Sequence, residues 1–401
     1  MRYSAAAGNL ADLVAPPYDV ISPAQRERLA ARHPAGAIHL ILPQGAEPYR
    51  EAARLLDDWK TRGWLQHDRR AAFFLVAQSF KIAGRRSERF GLLAGLELQP
   101  FAAGIVLPHE QTLSGPKEDR LRLIRACATN LSPIFTLVDT PLGLPEIPGH
   151  PEAEALADFR DDADVRIRLW RIGPGELARD LARRVAEQQV FIADGHHRYE
   201  ISLAYRDERR AADPALNGTA QPFDFVLTYL ASTRDTGLAV LPTHRILSDA
   251  VAHEAPLKRL KEICRVEEMD DATALCAALE APAEAHPGPR LGLLRRGARP
   301  ALLSPGPAAA EVLATLAPEL ARLDVTFLHQ ILLPGVPPEG FRYTHDATET
   351  ITESEKGATA FLLPSPQIND VLDISRAHLT MPQKSTYFYP KVPTGLVFNP
   401  L

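Results

Sequence analysis

The sequence predicts an α/β fold with α+β character: a mixed sheet core with helices packed on it, followed by a smaller α/β domain. Short apolar runs with the composition of buried strands recur between helical segments that have one apolar side. The chain of 401 residues is long enough for two or three domains with a large core. Its 45% hydrophobic and 24% charged residues are ordinary for a soluble globular protein.

Net charge, cysteine content and hydropathy exclude several classes of protein. A net charge of -5 and a pI near 6.2 argue against a general nucleic-acid binder, which usually has a basic balance. The three cysteines are widely spaced and form no CxxC pair, which excludes a disulfide scaffold and a thiolate zinc site. The sequence has no long apolar segment and no secretory start, so we expect a cytoplasmic protein without a membrane segment.

The chain opens with an extended, proline-stiffened segment, LVAPPYDVI at residues 13–21. Tyr18 and Asp19 are candidates for lining a substrate pocket, although Pro-Pro-Tyr-Asp alone is also an ordinary turn. Ser22 is a good N-cap and Pro23 suits the first helical position, which predicts a helix to about residue 31.

The following segments predict one strand, one helix and a hairpin. Residues 37–42, AIHLIL, are a candidate strand, and residues 49–63 have an amphipathic helical pattern. Residues 71–80 and 89–98 are strand-like runs on either side of a Gly-Arg-Arg turn, which predicts a β-hairpin.

A polar stretch, PHEQTLSGPKEDR at residues 108–120, leads into the next helix. A proline after glycine suits the first helical position, and acidic residues in the first turn suit the helix dipole. A general base, a hydroxyl and cations in one place suit phosphate handling or metal binding. The alternative is a capped helix with solvated charges. The candidates are His109, Glu110 and Thr112 ahead of the helix, and Lys117 and Arg120 at its start.

Residues 130–188 predict two more strands and a helix. Asn130, a further candidate for phosphate or nucleotide binding, begins a turn that runs into a strand ending near residue 138. Residues 139–152 are rich in proline and glycine and predict a loop. Residues 165–170 alternate apolar and basic side chains, as a half-exposed strand does, and residues 175–188 have a helical pattern.

The stretch VFIADGHHRYEISLAYRDE, residues 190–208, predicts a buried strand, a tight Asp-Gly turn and a helix. This connection points backbone N–H groups and the positive end of the helix dipole at one spot. Two imidazoles and a guanidinium there suit a bound phosphate. The alternative is a surface turn followed by a solvated helix start. The candidates are Asp194 as base or metal ligand, His196 as catalytic residue, and Gly195, His197, Arg198 and Tyr199 as phosphate-binding residues.

Two strands follow the central stretch, at residues 223–230 and 237–241, and the second leads into Pro-Thr-His-Arg. His244 and Arg245 are a further cationic pair that could face the same pocket. Polar residues exposed at the end of a strand are an equally good interpretation of this pair.

A domain boundary is predicted near residue 246. Residues 1–246 carry the polar stretches, residues 247–380 form the smaller α/β domain, and residues 381–401 form a tail. The smaller domain has predicted strands at 264–266, 291–294, 301–303 and 360–363 and predicted helical segments at 308–332 and 368–379.

The tail, MPQKSTYFYPKVPTGLVFNPL, is aromatic and apolar, whereas terminal residues are usually mobile and polar. We therefore expect it to be packed. In one interpretation it folds back over the pocket and contributes Lys384 and Ser385. In the other it is a closing belt that only joins the two halves of the protein.

Together these motifs resemble an uncharacterised bacterial and archaeal family, the domain-of-unknown-function family numbered one thousand and fifteen. The shared motifs are PPYDVI, HExT followed by PKxDR, NxSPIF, DGHHRY, PTHR and MPxKSTYF followed by PK. The DGHHR box and its flanks are more distantly similar to the phosphate-binding box of the ParB/sulfiredoxin superfamily. That superfamily includes ParB, a CTP-binding DNA clamp, sulfiredoxin, an ATP-dependent repair enzyme, and a free-serine kinase whose box also reads DGHHR.

The resemblance implies a ParB/sulfiredoxin-like strand–turn–helix phosphate site, a nucleotide ligand (ATP, ADP or CTP) and a serine-like hydroxylated acceptor. Phosphoryl transfer depends on positioning and charge neutralisation, often with Mg²⁺, which we expect on Asp194 and Glu110. The sequence has no Walker GxxxxGK[ST] loop and no kinase HRD set, so a standard nucleotide-binding fold is not the source of this chemistry.

Three functions are consistent with these residues. The favoured one is a phosphotransferase or phosphatase that binds a nucleotide or phosphorylated metabolite, with a small-molecule phosphate ligand as its partner. The first alternative is a non-catalytic nucleotide-binding regulator of the ParB type. The second is a metal-dependent hydrolase, which ranks last because neighbouring helical histidines diverge by about 100° and no HExxH spacing exists.

Overall fold

The computed structural model describes residues 1–82, 84–111, 115–247, 260–281 and 288–401. By their internal contacts the residues divide into two compact units. The first unit comprises Met1–Leu107, Thr112–Leu238 and Pro390–Leu401, and the second comprises Pro108–Gln111 and Ala239–Tyr389. Among the described residues, no helix is both long enough and apolar enough to span a bilayer.

The first unit is built on an eight-stranded mixed sheet. Two neighbouring pairs are parallel, Val190–Asp194 with Val106–Leu107 and Phe225–Ser232 with Ile134–Val138, and the others are antiparallel. The predicted hairpin is confirmed, because Phe73–Ile82 pairs antiparallel with Arg85–Glu97. In order across the sheet, the strands are Val106–Leu107, Val190–Asp194, Ile134–Val138, Phe225–Ser232, Arg85–Glu97, Phe73–Ile82, Arg166–Ile172 and Ala153–Arg160.

The edge strand Ala153–Arg160 was not predicted from the sequence. Its side chains are exposed or half-buried throughout, so it lacks the apolar alternation that identifies a strand. It pairs only with Arg166–Ile172, the half-exposed strand that the sequence did predict.

One helix of the first unit begins at the side-chain cap that the sequence predicts. Ser22 Oγ accepts a hydrogen bond from the Gln25 backbone nitrogen, with Pro23 at the first helical position, so this predicted helix start is confirmed. The helices are Leu10–Leu13, Pro23–Arg32, Ile38–Ile41, Pro48–Thr61, Gly115–Cys127, Glu176–Ala186 and His196–Ala212.

The strand predicted at residues 37–42 is wrong, because this segment is the short helix Ile38–Ile41. Ile38, Leu40 and Ile41 are all at most 2% exposed, within a cluster that also contains Trp59 and Phe398. Apart from the half-buried His39 this short run is apolar, so its periodicity cannot distinguish a helix from a strand.

The second unit contains a six-stranded antiparallel sheet. The predicted hairpin at 291–294 and 301–303 is confirmed. The strands in order are Cys264–Glu268, Ala301–Pro305, Leu291–Leu294, Ala360–Leu362, His244–Leu247 and Phe341–Thr344, with a separate pair of Ala239–Leu241 and Tyr387–Tyr389. The helices are Leu260–Ile263, Ala272–Glu280, Pro307–Leu313, Pro318–Ala321, Asp324–Thr326, Ala347–Lys356 and Ile368–Arg376.

Residues 308–332 are helical as predicted, but in short pieces rather than one stretch. Pro318 begins a new helix because proline cannot continue the preceding one. The last piece, Phe327–Leu332, is a π-helix, a form that is often found at functional sites.

The tail segment, Pro390–Leu401, is packed within the first unit, as expected from its apolar composition. Thr394 and Ala15 exchange two backbone hydrogen bonds, of 2.8 and 3.1 Å. Asn399 pairs with Asn130, and the ring of Phe398 is fully buried. These contacts hold the segment in place before and after Phe398 in the sequence.

Candidate functional site

The central strand Val190–Asp194 runs through one turn residue into the central helix His196–Ala212. This confirms the predicted strand–turn–helix arrangement. Gly195 lies in the left-handed region, with a φ of 89°, where a side chain is strained. A Cβ at this position would also lie 3.0 Å from the Arg198 guanidinium. The turn therefore requires glycine, and the N-cap of the 17-residue helix has no side chain of its own.

Asp194 holds two cations at this turn. Its Oδ2 accepts from Arg198 Nη2 at 2.9 Å, and its Oδ1 accepts from Lys391 Nζ at 3.1 Å. The three side chains are only 23%, 14% and 13% exposed, respectively. Arg198 also donates to the carbonyl oxygen of Pro133. Two cations face one carboxylate, so this trio carries an excess positive charge beside the positive end of a helix dipole.

The two histidines of the motif differ in environment. His196 is 8% exposed and counts among the buried residues of the central helix, whereas His197 is half-buried. Tyr199 is fully buried, its hydroxyl donates to the Gln99 carbonyl at 2.7 Å, and it accepts from the Gln99 nitrogen at 2.9 Å. Burial raises the pKa of Tyr199 to about 12. Tyr199, which the sequence suggested as a phosphate ligand, thus anchors the helix.

A cavity of about 70 Å³ lies in the first unit, and Arg198 is one of its lining residues. Tyr18, Arg120 and Asn130 line it as well, so four of the predicted site residues surround one space. The guanidinium carbon of Arg120 lies 4.6 Å from the centre of the Tyr18 ring, a cation–π contact. Burial raises the pKa of Tyr18, and the positive charge of Arg198 acts in the opposite direction.

Other predicted residues of the first unit have fixed partners. Arg120 donates to the Ile41 carbonyl at 2.6 Å and to Asp119, and Lys117 forms an ion pair with Glu200. Asn130 Oδ1 accepts from the Leu227 backbone nitrogen at 3.0 Å. Asp19 is exposed near Tyr18, and its charge contributes to the raised pKa of that tyrosine. Thr112 lies outside the described residues.

The second unit contains another group of the predicted residues, around the loop 381–386. His109 Nε2 lies 3.0 Å from Thr386 Oγ1, and Glu110 Oε1 accepts from the Lys384 backbone nitrogen at 2.9 Å. Ser385 Oγ donates to the Pro382 carbonyl. Arg245 donates to the Lys384 carbonyl at 3.1 Å. These contacts fix the backbone of the loop.

His244 and Arg245 were predicted to follow the end of a strand, but they are the first two residues of the next strand, His244–Leu247, and both are buried. His244 Nδ1 accepts from the Leu363 nitrogen at 3.1 Å. Burial, helped by the charge of Arg245, lowers the pKa of His244 to about 4, so the ring is neutral near pH 7. Burial also lowers the pKa of Arg245 to about 10. His244 therefore does not provide the second cation that the sequence suggested.

The second unit also contains a cavity of about 710 Å³, and Ser385, Arg290 and Asp324 are among its lining residues. Asp324 is half-buried, and the desolvation of its carboxyl group raises its pKa from the ordinary 3.8 to about 7. The native state therefore binds this proton more tightly than the unfolded chain does. As a result, stability falls as the pH rises from about 4 to about 7.

Asp324→Asn is expected to remove this fall and to raise the melting temperature at pH 8 by about 5 °C. The asparagine carbonyl can still accept the 2.7 Å hydrogen bond from the Arg290 backbone nitrogen, but it has no proton to lose. Thermal unfolding at pH 5 and pH 8 measures the effect, with the exposed Asp270→Asn as control. Equal pH dependence in the variant and the wild type would show that Asp324 does not hold its proton.

The metal ligands proposed from the sequence, Asp194 and Glu110, already use carboxylate oxygens in contacts within the protein. Both oxygens of Asp194 are bound by cations, and Glu110 Oε1 accepts from a backbone nitrogen. Within the described part of the chain, no group of three or more His, Cys, Asp or Glu side chains could hold a metal. This geometry favours Asp194 as a residue that orients two cations.

Lys391 was missed as a site residue. The sequence does contain a signal for it, because Pro-Lys at 390–391 closes the motif MPxKSTYF followed by PK. The sequence names Lys384 of the same motif as a candidate; the structure places Lys391 against Asp194, and Lys384 belongs to the second unit. Only the path of the tail segment distinguishes these two lysines.

The fold and site define a mixed α/β protein with a cationic strand–turn–helix site. The chain belongs to the family described as protein of unknown function (DUF1015), whose family model matches residues 1–326. The resemblance stated from the motifs is therefore confirmed. A search of curated proteins gave no match.

Similar solved structures include a free serine kinase in complex with AMP, at 14% identity and a TM-score of 0.36, covering 76% of this chain and 92% of that one. A conserved hypothetical protein from Pyrococcus furiosus has 14% identity and a TM-score of 0.35, with 75% and 93% coverage. SbnI with a C-terminal truncation, from Staphylococcus aureus, has 10% identity and a TM-score of 0.37, with 75% and 85% coverage.

Proposed function

We propose that this protein binds a nucleotide or a phosphorylated small metabolite at the start of the central helix. There it catalyses phosphoryl transfer or phosphate-ester chemistry on a small hydroxylated, serine-like metabolite. The observation that carries this proposal is the trio at the turn, where Arg198 and Lys391 both contact Asp194.

The charges of this trio suit a phosphate. Arg198 and Lys391 bring two positive charges to the one carboxylate of Asp194, and the glycine N-cap has no side-chain acceptor of its own. A phosphate brings two or three oxygens that accept charge-assisted hydrogen bonds, which are about twice as strong as neutral ones. The N-terminus of the central helix adds a favourable dipole and backbone N–H groups.

The neighbouring cavity limits which part of a ligand is enclosed. At about 70 Å³ it is far smaller than the roughly 300–1,000 Å³ that encloses a drug-sized ligand. It can take one small group or a few water molecules. We infer that the phosphate is bound at the turn by Arg198 and Lys391, and that only a small group of the ligand would enter this cavity beside Tyr18 and Arg120.

The roles of the side chains follow from what they touch. Arg198 and Lys391 bind phosphate oxygens and neutralise the charge that develops during transfer. Asp194 orients both cations, and once a phosphate takes them it can accept the proton of an acceptor hydroxyl. Any Mg²⁺ would enter with the nucleotide and be bound mainly by phosphate oxygens and water, as is usual for this ion.

A thermal-shift screen tests the proposal. ATP, ADP, AMP, CTP and phosphorylated hydroxy acids are added singly to the full-length protein, with and without Mg²⁺. A ligand at a hundred times its Kd stabilises the native state by about 2.7 kcal/mol and should raise the melting temperature by roughly 3 °C or more. If no nucleotide or phosphorylated metabolite raises it, the proposal is wrong.

Product analysis then separates the enzyme from the non-catalytic regulator, which would use the same site. The ligand that binds is incubated with serine and related hydroxylated metabolites, and phosphorylated products are measured by mass spectrometry. Turnover supports the transferase or phosphatase, whereas tight binding without any product supports the regulator. Stoichiometric zinc in the purified protein would instead support the metal-dependent hydrolase.

A further inference from the structure

Two fully buried side chains, Gln78 and Arg89, bind the backbone of the tail segment. Arg89 Nη2 donates to the carbonyl oxygen of Pro390 at 2.5 Å, and Gln78 Nε2 donates to that of Lys391 at 3.1 Å. Arg89 Nη2 also donates to Gln78 Oε1 at 2.5 Å. The two carbonyl groups on either side of the Lys391 Cα therefore both accept hydrogen bonds from side chains of the sheet.

The residues that hold the tail are themselves rigidly placed. Gln78 and Arg89 are direct partners across the antiparallel hairpin, and both are 0% exposed. The guanidinium carbon of Arg89 lies 4.6 Å from the centre of the Phe135 ring and 5.3 Å from that of the Tyr229 ring. Aromatic faces on a buried guanidinium fix its plane and thus the direction of its N–H groups.

Burying an arginine side chain in a sheet costs desolvation free energy, which an apolar side chain of similar volume would avoid. What Arg89 and Gln78 provide instead is directed donors for two specific carbonyls. Lys391 has a flexible four-carbon stem, so fixing its Cα restricts where its ammonium can reach. With the Cα held in this way, the ammonium lies 3.1 Å from Asp194.

We propose that Gln78 and Arg89 are positioning residues that present Lys391 to the Asp194 turn, and that Lys391 binds the phosphate of the ligand. The role of Lys391 towards phosphate rests on the proposed function. The positioning of Lys391 by the pair does not, since it concerns contacts within the protein.

The first test measures the placement of Lys391 without any ligand. Gln78→Met removes the donor to the Lys391 carbonyl and keeps the length of the side chain. Limited acetylation with N-hydroxysuccinimidyl acetate, followed by peptide mass spectrometry, reports the reactivity of each lysine. We expect Lys391 to react several-fold faster in the variant, while the exposed Lys81 reacts at the same rate as in the wild type.

Two further variants serve as a control and as a substitute in this test. Thr394→Val removes the 2.7 Å side-chain contact with Ser132, which anchors the tail three residues beyond Lys391. It should lower stability without changing Lys391 reactivity. If Gln78→Met does not fold, Gln78→Glu keeps an acceptor for Arg89 and still removes the donor. Unchanged Lys391 reactivity in the folded Gln78 variant would overturn the positioning role.

The second test is a double-mutant cycle with ADP as the probe, read by calorimetry. Lys391→Met is expected to weaken ADP binding about tenfold or more, because a charge-assisted hydrogen bond is lost. Gln78→Met should weaken it by a smaller factor in the wild type and have no effect in the Lys391→Met background, since it acts only through Lys391. Additive losses would mean that Gln78 acts by another route and would overturn the proposal.

The two tests separate two kinds of failure. If the wild type binds neither ADP nor any other phosphate compound, the proposed function fails, but the acetylation result still decides whether the pair positions Lys391. If ADP binds and Lys391→Met leaves its affinity unchanged, the phosphate role of Lys391 is wrong while the proposed function stands.

Discussion

Replacing Asp194 with asparagine is expected to reduce turnover by a factor of about 100–10,000, the range for loss of a general base. The same change should leave ADP affinity unchanged or improve it. Asp194 neutralises part of the charge on Arg198 and Lys391, so removing its negative charge leaves both cations more attractive to a phosphate. Steady-state kinetics and calorimetry on the same preparation measure the two effects.

This pair of measurements also distinguishes an enzyme from a regulator. A matched control is Asp207→Asn, which removes an exposed carboxylate on the same helix that pairs with Arg206 at 2.8 Å. The control should change neither turnover nor affinity. Loss of ADP affinity in Asp194→Asn, in a protein that remains folded, would contradict the view that Asp194 opposes the anion.

Replacing Arg198 with methionine is expected to weaken ADP binding by about 10- to 100-fold, because a bidentate donor to phosphate is lost. Stability should also fall, by about 1–3 kcal/mol, because Arg198 donates to the Pro133 carbonyl and to Asp194. Calorimetry and urea unfolding measure affinity and stability separately.

Arg125→Met is the control for the loss of an arginine. Arg125 pairs in a bidentate way with Glu208, at 2.6 and 2.9 Å, and is well exposed, so its loss should change little. Arg198→Lys should recover part of the affinity, since it keeps the charge but not the planar fork. An Arg198→Met protein that is folded and binds ADP as tightly as the wild type would remove Arg198 from the site.

The features that sequence reasoning predicted well depend on neighbours in the chain. The DGHHR turn needs a strand, a residue with positive φ and a helix start, and all three are encoded within a dozen residues. The Ser22 cap and the hairpin are local in the same way. Such features depend on contacts between residues close in sequence, so tertiary packing has little influence on them.

The incorrect predictions concern segments whose structure depends on burial or on partners that are distant in the sequence. Residues 37–42 are apolar apart from His39 and pack into a helical cluster, so the run has no clear periodicity. His244 looked like a surface cation but lies in a strand with neighbours on both sides, so burial keeps it neutral. The residues that flank these positions in the sequence do not indicate that either position is buried.

By itself, the sequence determined the mixed α/β class, the family and the glycine turn that starts the central helix, because these depend on local pattern and motif. Only the tertiary structure decided that Lys391 lies against Asp194. The partners in that contact are 197 positions apart. Their meeting depends on where Gln78 and Arg89 hold the returning tail, a long-range packing result that no local pattern encodes.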